Sequence, residues 1–537
     1  MNTKSLPANP SLEFDKKQAK KLLSELRSGD ESALQRLREY HPRFATLVDS
    51  SSVALHDAQL VIARQYGFVS WPRWKAYVES RRLDLGERAA ELVRAACSGD
   101  MRKATMLLDA EPTLASFDLA TAATCGDFAA LARLLVRDSE LARRACGPNA
   151  WQPLVYACFS RFLRSDAERA QGIVRSARLL LEHGADPNAH FFEGEGEHRH
   201  MQTCIYGAAG IANNAELTRA LFDAGATILA GDGEVLYHAC EFKDVTCLEL
   251  VLAAHPPPPA WRGPLPASFS EDPRARDIVS FCLGRALDFD NEAAALLFLK
   301  YGANPNLRVS WHQNRTQMHK AALNGRSLGT LTAMLDHGGD FRAEDDRGIS
   351  PYRYAVRFGQ AHLVALFETR GADPATATAE DRQLFAVARG TGSGIRLKNV
   401  STTEVMVQAA WLNDVPVLQR LLDAGADVNA PADLPPLHAA CWTGQLAAAK
   451  LLVERCASLS ARSVHGGTPL GTALHGSEHC HEPLGGPAMK LREEITHGQY
   501  AKIVDLLLEA GATLPDFADG SDAVQEVLRR WGAPDRD

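Results

Sequence analysis

Leu421-Leu422-Asp423-Ala424-Gly425-Ala426-Asp427-Val428-Asn429 decides how the rest of this chain is read. The same phrase, an apolar run closed by Gly-Ala and an Asp, Asn or Thr, returns along the sequence. It stands at 179–188 (Leu-Leu-Leu-Glu-His-Gly-Ala-Asp-Pro-Asn), 221–227, 299–306, 335–341, 370–374 and 506–514. Gly302 to Gly338 spans 36 residues and Gly338 to Gly371 spans 33, whereas Gly371 to Gly425 spans 54. The long interval requires an insertion or a degenerate copy. The phrase has a mechanical reading. Glycine just past a helix end takes the left-handed conformation that costs other residues more. The Asp or Asn that follows starts a turn through hydrogen bonds to nearby backbone.

A matching start signal precedes the stops. Pro435-Pro436-Leu437-His438-Ala439-Ala440 and Thr468-Pro469-Leu470 place proline in a first helical turn, where its missing N–H is harmless. Thr316-Gln317-Met318-His319-Lys320-Ala321 and Ser350-Pro351-Tyr352 are weaker copies. Between start and stop there is room for two antiparallel helices of ~8–10 residues. Residues 90–108 and 121–136 keep the helix–Gly-Asp–helix rhythm without the proline.

Together these residues resemble the ankyrin repeat, with its Thr-Pro-Leu-His start, its Leu-Leu-x-x-Gly-Ala-Asx end and its period of ~33. The resemblance implies an all-α fold, an α-solenoid of helix-turn-helix repeats with short hairpin loops. About ten to twelve degenerate units are expected in an array over 87–532. It also implies that His438 bridges backbone groups between repeats. Residues 1–13 read as a flexible start, 14–86 as a helical module and 533–537 as a tail. In the module, helices are expected at Phe14–Ser28, Glu31–Tyr40, Ser52–Tyr66 and Trp71–Ser80, with Trp71 and Trp74 in its core. The stretch from Leu55 to Pro72 resembles a segment that precedes the array in many bacterial ankyrin-repeat proteins. The module reads as a cap over the first repeat, as the ends of a solenoid need.

Composition narrows function by exclusion. The 537 residues are 46% hydrophobic and 23% charged, with a net charge of -8, which gives no footprint of a nucleic-acid or anionic-membrane binder. No apolar run reaches the ~18 residues of a membrane helix, and Met1 to Lys21 holds no secretory h-region. The eleven cysteines form no C-x-x-C pair and several sit beside alanine, as small core residues do in a reducing compartment. A cytoplasmic protein is expected.

The resemblance implies binding of a protein partner through a concave face and loop tips. Insertions near 191–201, 256–275 and 475–498, and the stretch 310–315, mark the places to look. Candidate anchors are Trp261, Trp311, Arg315, Tyr352 and Trp442, because aromatic and arginine side chains dominate interface energetics. The alternative is a metal-dependent enzyme or metal sensor built on His475, His479 and His481, with Cys480 beside them. These are zinc-ligand types, although three consecutive ligands at 479–481 do not converge easily on one ion. The interaction reading expects no cofactor, and zinc would be the ion of the alternative. Glu193, Glu195, Glu197, His198 and His200 form a second loop of metal-capable residues. Gly390-Thr391-Gly392-Ser393-Gly394 lacks the strand and the Lys-Ser/Thr pair of a phosphate loop and reads as a linker. No G-x-S-x-G elbow and no H-E-x-x-H motif occurs, so no catalytic set stands out.

Overall fold

The computed structural model describes residues 4, 10–42, 53–68, 70–80, 84–194, 200–228, 234–254, 277–309, 313–397, 401–479 and 499–535. Helix pairs repeat along the chain, and we call the first helix of each pair inner and the second outer. Inner helices such as Leu119–Cys125 and Pro153–Phe159 are buried at every position. They pack against the inner helices before and after them. Outer helices bury one stripe only: Phe128–Arg137 buries Ala130, Leu131 and Leu135 and exposes its other side. A helix apolar all round must be covered on every side, and an amphipathic one can face water. That difference sorts the two rows.

The recurring phrase does two jobs. Gly184, Gly225, Gly302, Gly338, Gly371, Gly425 and Gly511 all have positive φ, as the stop signal requires. Asp186, Asn304 and Asp427 then accept the N–H two residues on, at 2.9 Å each. The asparagine that follows goes further and staples one repeat to the next. Asn188 Oδ1 accepts the Thr227 N–H at 2.8 Å, Asn306 the Asp340 N–H at 2.7 Å and Asn429 the Ser458 N–H at 2.8 Å. The period of the phrase is therefore the period of the bonding between repeats.

Prolines open the inner helices at Pro153, Pro351 and Pro436. His438 bridges backbone as the resemblance implied: its Nε2 lies 3.1 Å from the Ala461 carbonyl oxygen and 3.0 Å from that of Gly467. His319 does the same toward Ile349 at 3.0 Å, while the Thr316 N–H donates to its Nδ1 at 3.1 Å.

The long interval resolves as a reduced repeat. Inner helix Ala379–Arg389 ends on left-handed Gly390, and among the described residues no outer helix follows before Thr403–Trp411. The array divides here. One core ends at Ala377, and a second begins at Leu384. The break turns the second block back across the inner row of the first. Glu404 bonds to Arg315, 89 residues earlier, and Gln408 Nε2 donates to Asn324 Oδ1 at 3.2 Å.

The N-terminal helices are Leu12–Arg27, Glu31–Tyr40, Leu55–Gln65 and Trp71–Ser80. The first starts earlier than expected because the Ser11 hydroxyl accepts the Phe14 N–H and caps it. The next helix, Leu85–Ser98, starts behind a capping box of Asp84 and Glu87. Trp74 is fully buried, donates to Asp15 Oδ2 at 3.1 Å and stacks on Tyr66 at 4.4 Å. This module has a core of its own. A groove of 710 Å³ lies between its Phe68 and Tyr77 and the Met101 and Met106 of helix Met101–Ala110. At the other end, 533–535 is tied down: Ala518 N–H donates to the Pro534 carbonyl at 2.7 Å and Arg529 to Asp535 at 2.7 Å.

Candidate partner-binding surface

The two blocks treat their inner faces differently. In the first block, charged side chains near the ends of the inner helices pair across repeats. Arg285 Nε donates to Glu241 at 2.7 Å, and Lys320 Nζ to Asp288 at 2.8 Å. Arg353 and Arg357 both donate to the buried Asp381, at 2.7 and 2.5 Å. Burial works against the Asp381 charge. Arg353, the Thr378 N–H and Arg357 outweigh it and hold the pKa below the ordinary carboxylate value. His238 stands between Glu234 (3.2 Å) and Glu241 (3.3 Å). Burial alone would lower its pKa, but the two carboxylates raise it to about 9. Arg161 departs from this scheme: its Nε and Nη1 are buried without a hydrogen-bond partner.

Two expected anchors are held by neighbours within the first block. Arg315 reaches Asp345 at 3.3 Å, the Tyr354 hydroxyl at 2.7 Å and Glu404. Burial disfavours its charge, but Glu404 and Tyr354 restore it and raise its pKa. Tyr352 is only 3% exposed, and its hydroxyl donates to Glu368 at 3.0 Å. Position 352 follows the proline at the start of an inner helix buried at every position but Arg353, so its ring points into the stack and not into a groove. Trp261 and Trp311 lie outside the described residues.

The second block offers apolar surface instead. Trp442 closes inner helix Pro436–Trp442 and is partly exposed. Its ring meets that of His475 at 5.0 Å. The stretch from 475 was expected as a loop, but 475–479 continues helix Pro469–His479. Gly476 makes this continuation fit. A Cβ there would stand 2.6 Å from the Trp442 carbonyl oxygen, which already accepts the Tyr500 hydroxyl at 2.6 Å. Only a glycine lets the helix pass so close. The structure thereby brings together Trp442, expected as an anchor, and His475, expected as a metal ligand.

Trp411 belongs with them and was missed. It ends inner helix Thr403–Trp411 and is partly exposed at the edge of the second core. The Thr443 hydroxyl donates to its carbonyl at 3.3 Å. The signal was present in the sequence, since Ala-Ala-Trp at 409–411 repeats as Ala-Cys-Trp at 440–442, 31 residues on.

For the metal alternative, the described residues contain no group of three His, Cys, Asp or Glu side chains placed to hold an ion. Cys480 and His481 lie outside those residues, as does the His479 side chain. The insertion near 191–201 is a β-hairpin, His190–Glu193 against His200–Thr203, with Glu193 opposite His200. Phe191 stacks on Trp151 at 4.0 Å and anchors that hairpin to the array. Residues 195–199 of that expected ligand loop and the insertion near 256–275 lie outside the described residues. No helix among the described residues is long and apolar enough to cross a membrane.

Residues 406–453 match the family model for ankyrin repeats in many copies. They span Trp411, Trp442 and the pair of repeats that carries them. Among solved structures, the ankyrin repeat domain of Bcl-3, described as a unique member of the IkappaB protein family, is similar at 22% identity. That likeness covers 46% of this chain and 94% of that one, with a TM-score of 0.21. Among curated proteins, none matches.

Proposed function

We propose that this ankyrin-repeat protein is an interaction scaffold that takes a protein partner on the inner face of its second block, with Trp411, Trp442 and His475 as the anchoring surface. A repeat array of this class is in general a protein-interaction module, and its extended inner surface is the part that such modules use. The observation that carries the choice of block is the Trp442–His475 contact at 5.0 Å, at partly exposed helix ends set apart from Glu404, which pairs with Arg315 and Arg347 at the opposite end of the Trp411 helix. Near the matching helix ends of the first block stand Glu241, Asp288 and Arg357, each already held by a neighbour. A partner gains little by competing for a paired charge, because it must first break the pair. It gains more from desolvating tryptophan.

The test is a purified partner, first recovered by affinity capture from native lysate and then titrated by calorimetry. Against the Trp411→Ala/Trp442→Ala variant, affinity is expected to fall at least ~30-fold, the effect of losing about 2 kcal/mol at a hot spot. Val136 on an outer helix is 84% exposed, and Val136→Ser should leave affinity unchanged. Equal affinities for wild type and a folded double variant would remove the site from the second block.

A further inference from the structure

We propose that the last helix, Asp522–Trp531, is an electrostatic latch that closes the array onto its own N-terminal module and releases it as ionic strength rises. This inference does not depend on the partner reading. The helix buries Val524 and Leu528 in the second core. Asp522 and Glu526, one turn apart on a helix, share another side of it. Three arginines from three separate elements converge on these two carboxylates. Arg73, in the first turn of helix Trp71–Ser80, lies 2.7 Å from Asp522. Arg102, in the first turn of helix Met101–Ala110, bonds the same carboxylate. Arg64, in the last turn of helix Leu55–Gln65, bonds Glu526 across 462 residues of sequence.

Local forces do not favour these arginines where they are. The N-terminal turn of a helix attracts anions, and Arg73 and Arg102 both stand in such turns. Burial and the nearby Arg73 charge both lower the Arg102 pKa, so the two guanidinium groups repel each other beside Asp522. What compensates is the approach of the last helix. The sequence is matched for this end to end: residues 1–86 hold fourteen Lys/Arg and ten Asp/Glu, and 499–537 hold four Lys/Arg and eight Asp/Glu.

The seam is also built to open. Among the described residues no apolar core spans it: the module, the first block and the second block have separate cores. Between the surfaces lies a cleft of 570 Å³ lined by Ser70, Arg73, Lys103, Asp519, Gln525 and Arg529, among others. Arg73 and Arg102 are 39% and 61% exposed, and Arg64, at 13%, pairs with a Glu526 that is 36% exposed. Ion pairs with that much water around them are weak and are screened by salt. Closure holds the last helix against the N-terminal module, and release separates the two.

The full chain is measured by small-angle X-ray scattering from ~50 mM to ~0.5 M salt, a range over which screening shortens from beyond 10 Å to a few Å. The wild type is expected to be compact at low salt and to gain maximum dimension as salt rises. Asp522→Arg/Glu526→Arg should be extended at low salt and insensitive to salt. Adding Arg64→Glu, Arg73→Glu and Arg102→Glu should restore the compact form. An Arg64→Cys/Glu526→Cys pair, oxidised mildly and read as a linked N- and C-terminal tryptic peptide, should form at low salt and fall several-fold in yield at high salt. A wild type whose dimensions and cross-link yield do not change with salt would overturn the latch, whether it stays closed or open throughout. If the charge-reversed chain loses its helical circular dichroism, the wild-type salt series and the cysteine pair decide the matter.

Discussion

The first and second blocks share one repeat grammar and differ in what they leave on the inner row. From Glu241 to Asp381 the first block fills that row with cross-repeat ion pairs, several of them buried. From Trp411 to His475 the second block leaves partly exposed aromatic surface there. Fold alone does not set this difference, because His319 and His438 occupy the same structural position in both blocks. The contrast separates a framework from a face. Charges that satisfy one another fix geometry, and tryptophan left at the end of a helix has contacts still to make.

The sharpest way to break the comparison is to remove the counter-ion that two arginines share. Asp381→Ala takes the buried carboxylate from Arg353 and leaves Arg357 only Glu380 at 3.7 Å, and breaking a buried pair costs roughly 3–5 kcal/mol. Urea denaturation should show that loss in the transition of the first block. Asp423→Ala removes an exposed partner of Arg455 on the second block and should cost less than ~1 kcal/mol. Equal costs would mean that the ion pairs of the first block are not its framework.

Protonation gives the next largest effect, with opposite signs at two histidines of the same block. Burial lowers His319 to about 4, against the pull of the Ile349 carbonyl. The unfolded chain takes up that proton near pH ~6.5, so stability is lost as pH falls from ~6.5 toward 4. His238 is the reverse case, since its folded pKa of about 9 lies above the unfolded value. Its contribution is present below pH ~6.5 and is lost as pH rises from there toward 9. Between pH ~6.5 and ~8, below the range where buried thiols begin to contribute, the melting temperature should fall with pH. His238→Gln should flatten that arm and leave the acid arm in place. A variant with the same alkaline slope as wild type would detach His238 from the framework.

What the sequence made legible, and what it hid, follows from range. The glycine stops, the proline starts and the Trp74 core were readable because each is a local conformational preference or a repeated one, whereas the His438 bridge was implied only by the resemblance to the ankyrin repeat. The asparagine staple was half readable: the turn is local, but the bond to the next repeat needs two repeats in register. Arg315 could not be placed, because its partner Glu404 is 89 residues away across the break between the two blocks. Tyr352 looked like a tip residue until the depth of the inner row was known. Glu526 gave no sign at all of Arg64. Trp411 was visible only as an echo of Trp442 at the repeat spacing.

The smallest effect tests whether the two blocks really share one grammar beneath their different faces. In the first block, the Thr316 hydroxyl lies 2.8 Å from His319 Nδ1, and the Thr316 N–H donates to the same atom. In the second, Pro435 stands at the corresponding position, with neither hydroxyl nor N–H, and His438 Nδ1 is buried without a partner. Pro435→Thr should supply the missing bond, worth about 1 kcal/mol. The proline it replaces limits the unfolded chain, an advantage of about 0.4–1 kcal/mol, so the single substitution comes out near neutral. The bond is isolated by a double-mutant cycle with His438→Leu, where the coupling should be about 1 kcal/mol. Zero coupling would mean that the imidazole of the second block has settled into a different arrangement, and that His438 is not the counterpart of His319.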